Sequence, residues 1–267
     1  MQFKNAVVLA AGLLVSGASF AGPVVSGFDA NTLARNDDSY TGLVNIGFTV
    51  NFFGEEYSQL YVNNNGNVTF DYALATYTPF GLTNTSRVII APFFADVDTR
   101  YAGDPVTYGI GTYGGHDAFG VNWVNVDYYL SSTSHTARDS FQLILVDRSD
   151  VGSGDFDIVF NYDNIQWETG EASGGSPDGL GGYSARVGWS NGTGGADSFF
   201  ELAGSAVNGA FLNGGPNALA GMTYTFQVRN GEISPPIPTI PEPETYAMLL
   251  AGLGVVGALA KRRRRQG

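Results

Sequence analysis

Ile46-Gly47-Phe48-Thr49-Val50-Asn51-Phe52 places an apolar side chain at every second position. Successive side chains of an extended chain point to opposite faces. Ile46, Phe48, Val50 and Phe52 therefore share one face, and Gly47, Thr49 and Asn51 the other, which predicts a half-buried β-strand. The same period returns in Val68-Phe70-Tyr72, in Phe156-Ile158-Phe160-Tyr162 against Asp155, Asp157 and Asn161, and in Tyr224-Phe226-Val228. Val88 to Phe94 and Phe141 to Val146 are apolar without a break, the pattern of central strands covered on both faces. Asn65-Gly66, Asn191-Gly192, Asn208-Gly209, Asn213-Gly214 and Asn230-Gly231 supply the positive φ angles of tight turns. The glycine-rich stretches 170–182 and 192–221 read as surface loops. With helical signals confined to the two ends and no internal repeat, the body is expected to be all-β, an antiparallel two-sheet β-sandwich.

The ends are addresses. Lys4, the apolar run Ala6 to Val15, and the small residues Ser19 and Ala21 form a secretory signal peptide over residues 1–21, cleaved after Ala21 by signal peptidase following passage through the secretion translocon. At the other end, Pro241-Glu242-Pro243-Glu244 is followed by an uncharged run from Thr245 to Ala260 and by Lys261-Arg262-Arg263-Arg264-Arg265. A helix over that run spans about 24 Å, short of the roughly 30 Å hydrocarbon core of a bilayer, and the cations hold its far end on the cytoplasmic side. The body, residues 22–232, is then delivered to the opposite side of the membrane. Residues 233–240, with Pro235, Pro236 and Pro238, are expected to be a stiff polyproline II linker. The order Pro-Glu-Pro, short span and arginine cluster over residues 241–265 resembles the PEP-CTERM sorting signal of Gram-negative bacteria. The resemblance implies cutting by an exosortase-type membrane protease near Pro241 and Pro243, a transient inner-membrane anchor, and a setting rich in exopolysaccharide. An ordinary C-terminal anchor is the alternative.

The charge is lopsided. The chain carries −12 overall, but six of its 13 lysines and arginines lie in the addresses, leaving a body with seven arginines, no lysine and 23 acids. Such a surface repels nucleic acid and anionic membrane and draws divalent cations or basic partners; solubility alone also explains it. There is no cysteine, so no disulfide holds the exported body and its core must suffice.

Several segments, taken together, carry a second resemblance. They are Phe52-Phe53-Gly54, Tyr61-Val62-Asn63-Asn64-Asn65-Gly66-Asn67, Ile90-Ala91-Pro92-Phe93-Phe94-Ala95-Asp96-Val97-Asp98-Thr99-Arg100, Trp123-Val124-Asn125-Val126, Phe141 to Val146, Phe160-Asn161-Tyr162 through Ile165-Gln166-Trp167, Gly170 to Gly175, Ala185-Arg186-Val187-Gly188-Trp189 and Phe200 to Ser205. In order and spacing over about residues 40–205, the chain resembles the nidogen-like domain of extracellular matrix and adhesive proteins. The resemblance implies an extracellular interaction module without catalysis, with polysaccharide or other matrix proteins as partners. Beyond Ala206 only strand and turn signals remain.

Candidate chemistry is sparse. Asp96 and Asp98 lie two apart on an extended segment and Asp104 follows a short loop later, so the three together are candidate Ca²⁺ ligands. Pairing with Arg100 is the competing reading and the favoured one, since Ca²⁺ takes six to eight oxygens and only three carboxylates are local. Asp147, Asp150, Asp155 and Asp157 surround Gly152-Ser153-Gly154, a hairpin turn first and a cation site second. His116 and His135 fall in Gly- or Ser-rich stretches that read as loops. No nucleophile elbow, zinc-like cluster or phosphate loop accompanies them. Trp123 and Trp189 share strand faces with Val121 and Val187 and read as core, whereas Trp167, beside the glycine-rich loop, is the indole freest to stack on a sugar ring. The function expected is that of a non-enzymatic structural or adhesion protein of the cell surface or exopolysaccharide matrix, as in a biofilm. The alternatives are a lectin-like module using Trp167 and a secreted hydrolase using aspartates.

Overall fold

The structure, a computed structural model, describes residues 24–131 and 136–239. The signal peptide with Ala21, His135, the sorting signal Pro241, Glu242 and Pro243, the expected membrane helix and Lys261 to Arg265 lie outside the described residues. Among the described residues no helix is long and apolar enough to cross a membrane.

The chain builds, in order, β1 (Asn31–Thr32), β2 (Val44–Phe52), β3 (Glu55–Asn63), β4 (Asn67–Thr69), β5 (Val88–Phe94), β6 (Val97–Asp98), β7 (Thr107–Tyr113), β8 (His116–Tyr128), β9 (Asp139–Asp147), β10 (Phe156–Asn164), β11 (Arg186–Asn191), β12 (Phe199–Glu201), β13 (Thr223–Arg229), β14 (Glu232–Ile233) and β15 (Ile237–Thr239). Two three-residue 3₁₀ turns, Leu82–Asn84 and Glu171–Ser173, are the only helical elements among the described residues. All pairings are antiparallel. The smaller sheet runs β12-β11-β5-β4-β3-β2; the larger runs β1-β7-β8-β9-β10-β13-β14, with β6 on β8 and β15 on β13.

The inward faces supply one core. Ile46, Val50, Phe52, Val62, Val68 and Ile90 from the smaller sheet meet Phe119, Val121, Trp123, Phe141, Leu143, Phe156, Ile158, Phe160 and Phe226 from the larger. The alternation in β2 is realised, with Ile46, Val50 and Phe52 buried and Asn45, Gly47 and Thr49 turned outward. The uninterrupted runs become β5 and β9, each internal to its sheet and covered on its second face as well. A small cluster of Leu74, Leu82, Ile89, Ala91 and Phe94 lies behind β5, and one of Phe28, Ala118, Ile144, Val146 and Val159 behind β9.

That second covering of β9 arises from the segment before β1. The carboxamide of Gln142 donates to the carbonyl of Val25 and accepts its N–H, and Asn122 Nδ2 donates to the carbonyl of Phe28 at 2.8 Å. Phe28 lies flat on the larger sheet because Gly120 has no side chain; a Cβ there would stand 2.3 Å from Phe28 Cγ.

Three expectations need correction. Tyr72 does not continue the strand at Val68, since β4 stops at Thr69 and Tyr72 is exposed. Asp155, Asp157 and Asn161 do not face water, because this side of β10 is covered too and each finds a partner: Asn230 N–H, Arg148 with Arg229, and Gln142. The proline-rich segment expected as a stiff polyproline II linker is in part strand. After the Asn230-Gly231 turn, β14 and then β15 pair along the open edge of β13, with Val228 opposite Ile233 and Thr225 opposite Ile237.

Candidate functional site

At one end of the sandwich three carboxylates converge. Asp37 and Asp38 come from the loop between β1 and β2, and Asp96 from the two-residue link between β5 and β6. One carboxylate oxygen of each lies within 4.8 Å of the others.

The convergence is built by side-chain amides. Asn64 and Asn65 occupy the turn between β3 and β4, where Gly66 takes a positive φ and a Cβ would overlap the carbonyl oxygen of Phe93. Asn64 Nδ2 donates to the carbonyls of Asp37 and Val97. Asn65 Nδ2 donates to Asp38 Oδ1 at 2.9 Å, while its Oδ1 accepts the Val97 N–H at 2.9 Å. The loop is closed from its other side by Asn36, whose Oδ1 accepts the Ser39 N–H and whose carbonyl accepts the Thr99 N–H. Asn64 and Asn65 are themselves buried and satisfied, as a rigid polar network requires.

Asp96 is 1 % exposed, and its Oδ2 has no hydrogen-bond partner. Gly170 presses on it. A Cβ at that residue would stand 2.3 Å from Asp96 Oδ2, so only glycine fits there. Burial, reinforced by Asp38, Asp37 and Asp98, pushes the Asp96 carboxyl up to about 8, with Ser173 opposing. Burial, with Asp98 and Asp38, raises Asp37 to about 7 against the pull of Arg100. Asp38 is raised by burial as well, against the Asn65 amide.

Of the residues singled out as cation ligands, only Asp96 belongs to this cluster. Asp98 is committed to Arg100, which it accepts at the backbone N (2.8 Å), Nε (3.0 Å) and Nη2 (2.8 Å). Arg100 Nη2 also reaches Asp37 Oδ2 at 2.9 Å, and its guanidinium lies over the rings of Tyr101 and Tyr129. Asp104 sits apart beside the bulge of β8, accepting Asn125 Nδ2 at 3.0 Å. The second acidic group is a hairpin with paired charges: Arg148 binds Asp150 and Asp157, and Asp147 caps Ser149. His116 starts β8 at a Gly-Gly turn, 3.7 Å from Asp150.

Trp167 corrects the stacking expectation. It is fully buried, donates its indole N–H to the Val126 carbonyl and packs edge-on against Phe93. The glycine-rich loop expected to leave it free instead lids it, with Gly179 against its Cβ. Trp123 and Trp189 are core, as expected. The exposed aromatics near the aspartates are tyrosines: Tyr101 beside Arg100, and Tyr77 and Tyr183, whose backbones bond Ser173. A surface hollow of about 540 Å³ between Phe53, Asn191, Asp197 and Ile233 includes none of the clustered aspartates.

Asp37 and Asp38 escaped the sequence reading. Adjacent acids after an arginine were the available signal, but nothing in that loop announces that it folds onto the end of β5.

Residues 18–228 match the family model described as NIDO related, and residues 239–265 match the PEP-CTERM protein-sorting motif. The first match extends past Ala206, where motif resemblance ended. Alpha-tectorin of Mus musculus is 38 % identical over 192 residues, covering 63 % of this chain and 8 % of that protein. Nidogen of Drosophila melanogaster is 28 % identical over 223 residues, covering 73 % of this chain and 16 % of that protein. The chain thus spans less than a fifth of these relatives. No solved structure gives a significant match. An extracellular type of domain joined to a sorting motif makes this a secreted surface protein. The chain belongs to the NIDO-related family, and it carries the PEP-CTERM protein-sorting motif behind that domain.

Proposed function

We propose that this protein is a non-enzymatic structural or adhesive module of the cell envelope or exopolysaccharide matrix, exported through its signal peptide and cut near Pro241 and Pro243 by an exosortase-type protease. The observation that carries the reading is the succession, in one chain, of a NIDO-related domain and a sorting motif. The short apolar span and the cations Lys261 to Arg265 support a handle that is held in the inner membrane only until the cut. The acidic, lysine-free body suits a matrix rather than a nucleic-acid partner.

The rival readings find less support. A lectin using Trp167 has no exposed indole face to offer. A secreted hydrolase using aspartates could not use Asp96, whose carboxyl lies buried beneath Gly170, out of reach of a glycosidic oxygen. Mass spectrometry of the protein recovered from cells and from medium tests the proposal. Termini near Gly22 and Pro241, with loss of cell aggregation on deletion of the gene, are expected; an intact tail on all of the protein would overturn the processing.

A further inference from the structure

We infer that Asp37, Asp38 and Asp96 bind a hard divalent cation of the Ca²⁺ class, which ties the loop before β2 to the end of β5. The inference stands apart from any adhesive role.

Geometry comes first. Three carboxylates from two distant segments converge to within 4.8 Å, and the nearest guanidinium, Arg100, is shared between Asp37 and Asp98. One cation among four carboxylates leaves the cluster strongly negative.

The orphaned oxygens are an independent observation. Asp96 Oδ2 and Asp37 Oδ1 are shut off from water and accept no hydrogen bond. Buried polar atoms are nearly always satisfied, and a buried carboxylate oxygen left bare costs several times a missing neutral bond. Among the described residues, the Ser173 hydroxyl is the one side-chain donor that acts on the Asp96 carboxyl, and it leaves Oδ2 bare, while the surrounding amides are already spent: Asn64 on two carbonyls, Asn65 on Asp38 and Thr76. A cation satisfies these oxygens at once. The alternative is protonation, the direction in which burial drives Asp37 and Asp96.

The donor chemistry selects the ion. Every group is an oxygen, with neither imidazole nor thiolate in the cluster, which suits a hard cation and not zinc or copper. Ca²⁺ accepts irregular sets of carboxylates, carbonyls and waters, whereas Mg²⁺ demands a near-ideal octahedron that carboxylates on two independent segments are poorly placed to supply. Asp37 and Asp38 are only half-buried and give the ion its entrance.

The test uses the full-length chain in detergent, stripped with chelator and titrated with CaCl₂ near neutral pH by calorimetry and thermal melting. One ion per chain is expected, with a melting temperature raised by about 5–10 °C at a hundredfold excess over Kd. Asp96→Asn, which keeps the shape and removes the charge, should fold at least as stably as the chelated wild type yet lose the Ca²⁺ response; Asp104→Asn should keep it. No heat and no shift in the wild type at millimolar Ca²⁺, an undiminished response in Asp96→Asn, or a response to Mg²⁺ as strong as that to Ca²⁺ would each overturn the assignment.

Discussion

Trp123 donates its indole N–H to the carbonyl oxygen of Asn64 at 2.9 Å. The donor lies on β8 of the larger sheet and the acceptor on the β3–β4 turn of the smaller, so one buried bond fixes the turn that carries the aspartate-holding amides. Trp123→Phe keeps an aromatic ring against Phe141, whose ring centre is 5.2 Å from the indole, and removes that donor. A loss of about 1–3 kcal/mol is expected in urea unfolding, from the orphaned carbonyl and the volume removed. An unchanged midpoint would show that the bond carries no net stability.

The glycine slot under Phe28 gives a second prediction. Gly120→Ala would force Phe28 off the larger sheet, since the new methyl group has no room. Residues 24–30 should become sensitive to protease at native conditions, with about 1–3 kcal/mol lost. Protection equal to wild type would mean the segment is held by Gln142 and Asn122 alone.

Glu168 anchors the long segment between β12 and β13. Its buried carboxylate accepts the N–H of Gly209 at 2.7 Å and of Phe211 at 2.6 Å. Glu168→Ala should cost about 2–4 kcal/mol, because the buried amide of Phe211 and the half-buried amide of Gly209 lose their acceptor. Hydrogen exchange should accelerate at Gly209 and Phe211 more than in β9; uniform acceleration would contradict a local anchor.

Asp139 makes stability depend on pH. Fully buried, it is pushed well above the ordinary carboxylate range, with Glu168 and Asp127 adding and the N–H groups of Gln166 and Trp167 opposing; its Oδ2 lacks a partner. Because the folded pKa stands above the unfolded value of about 3.9, the folded chain binds the proton more tightly. The associated stability is complete below about pH 4 and fades as pH rises through the folded value. Asp139→Asn keeps the acceptor for both amides and has no charge to bury, so its stability relative to wild type should climb between about pH 4 and pH 8. Denaturant melts at both ends of that window decide the matter, and a constant difference would refute it.

Much of the architecture was legible because burial imposes period two wherever only one face is covered, as at Ile46 to Phe52 and Tyr224 to Val228. β5 and β9 were legible for the opposite reason, both faces being apolar. The polar back of β10 misled: Asp157 and Asn161 look solvent-facing, yet they are covered through arginines and amides from other segments, partners that no local pattern reveals. Trp167 was misread because a glycine-rich loop signals backbone freedom and not distance from the core. The aspartate cluster was half-visible. Asp96 stood out in its segment, but Asp37 and Asp38 join it across a gap in sequence that only the folded turn at Asn64 and Asn65 closes.

The placement of β15 bears on the proposed removal of the C-terminal handle. Its register ends with Thr239 opposite Thr223, and a single residue, Ile240, separates it from Pro241. A protease that grips extended chain on the body's side of its cut must compete with β13 for the same backbone groups. Three residues on an open edge, one of them a proline without an N–H to give, are easily lifted, and Ile237 leaves no hole in the core since it is mostly exposed already. β15, the last strand among the described residues, is thus held by few contacts, and under the processing proposed above it would yield its backbone for cutting and settle back afterwards.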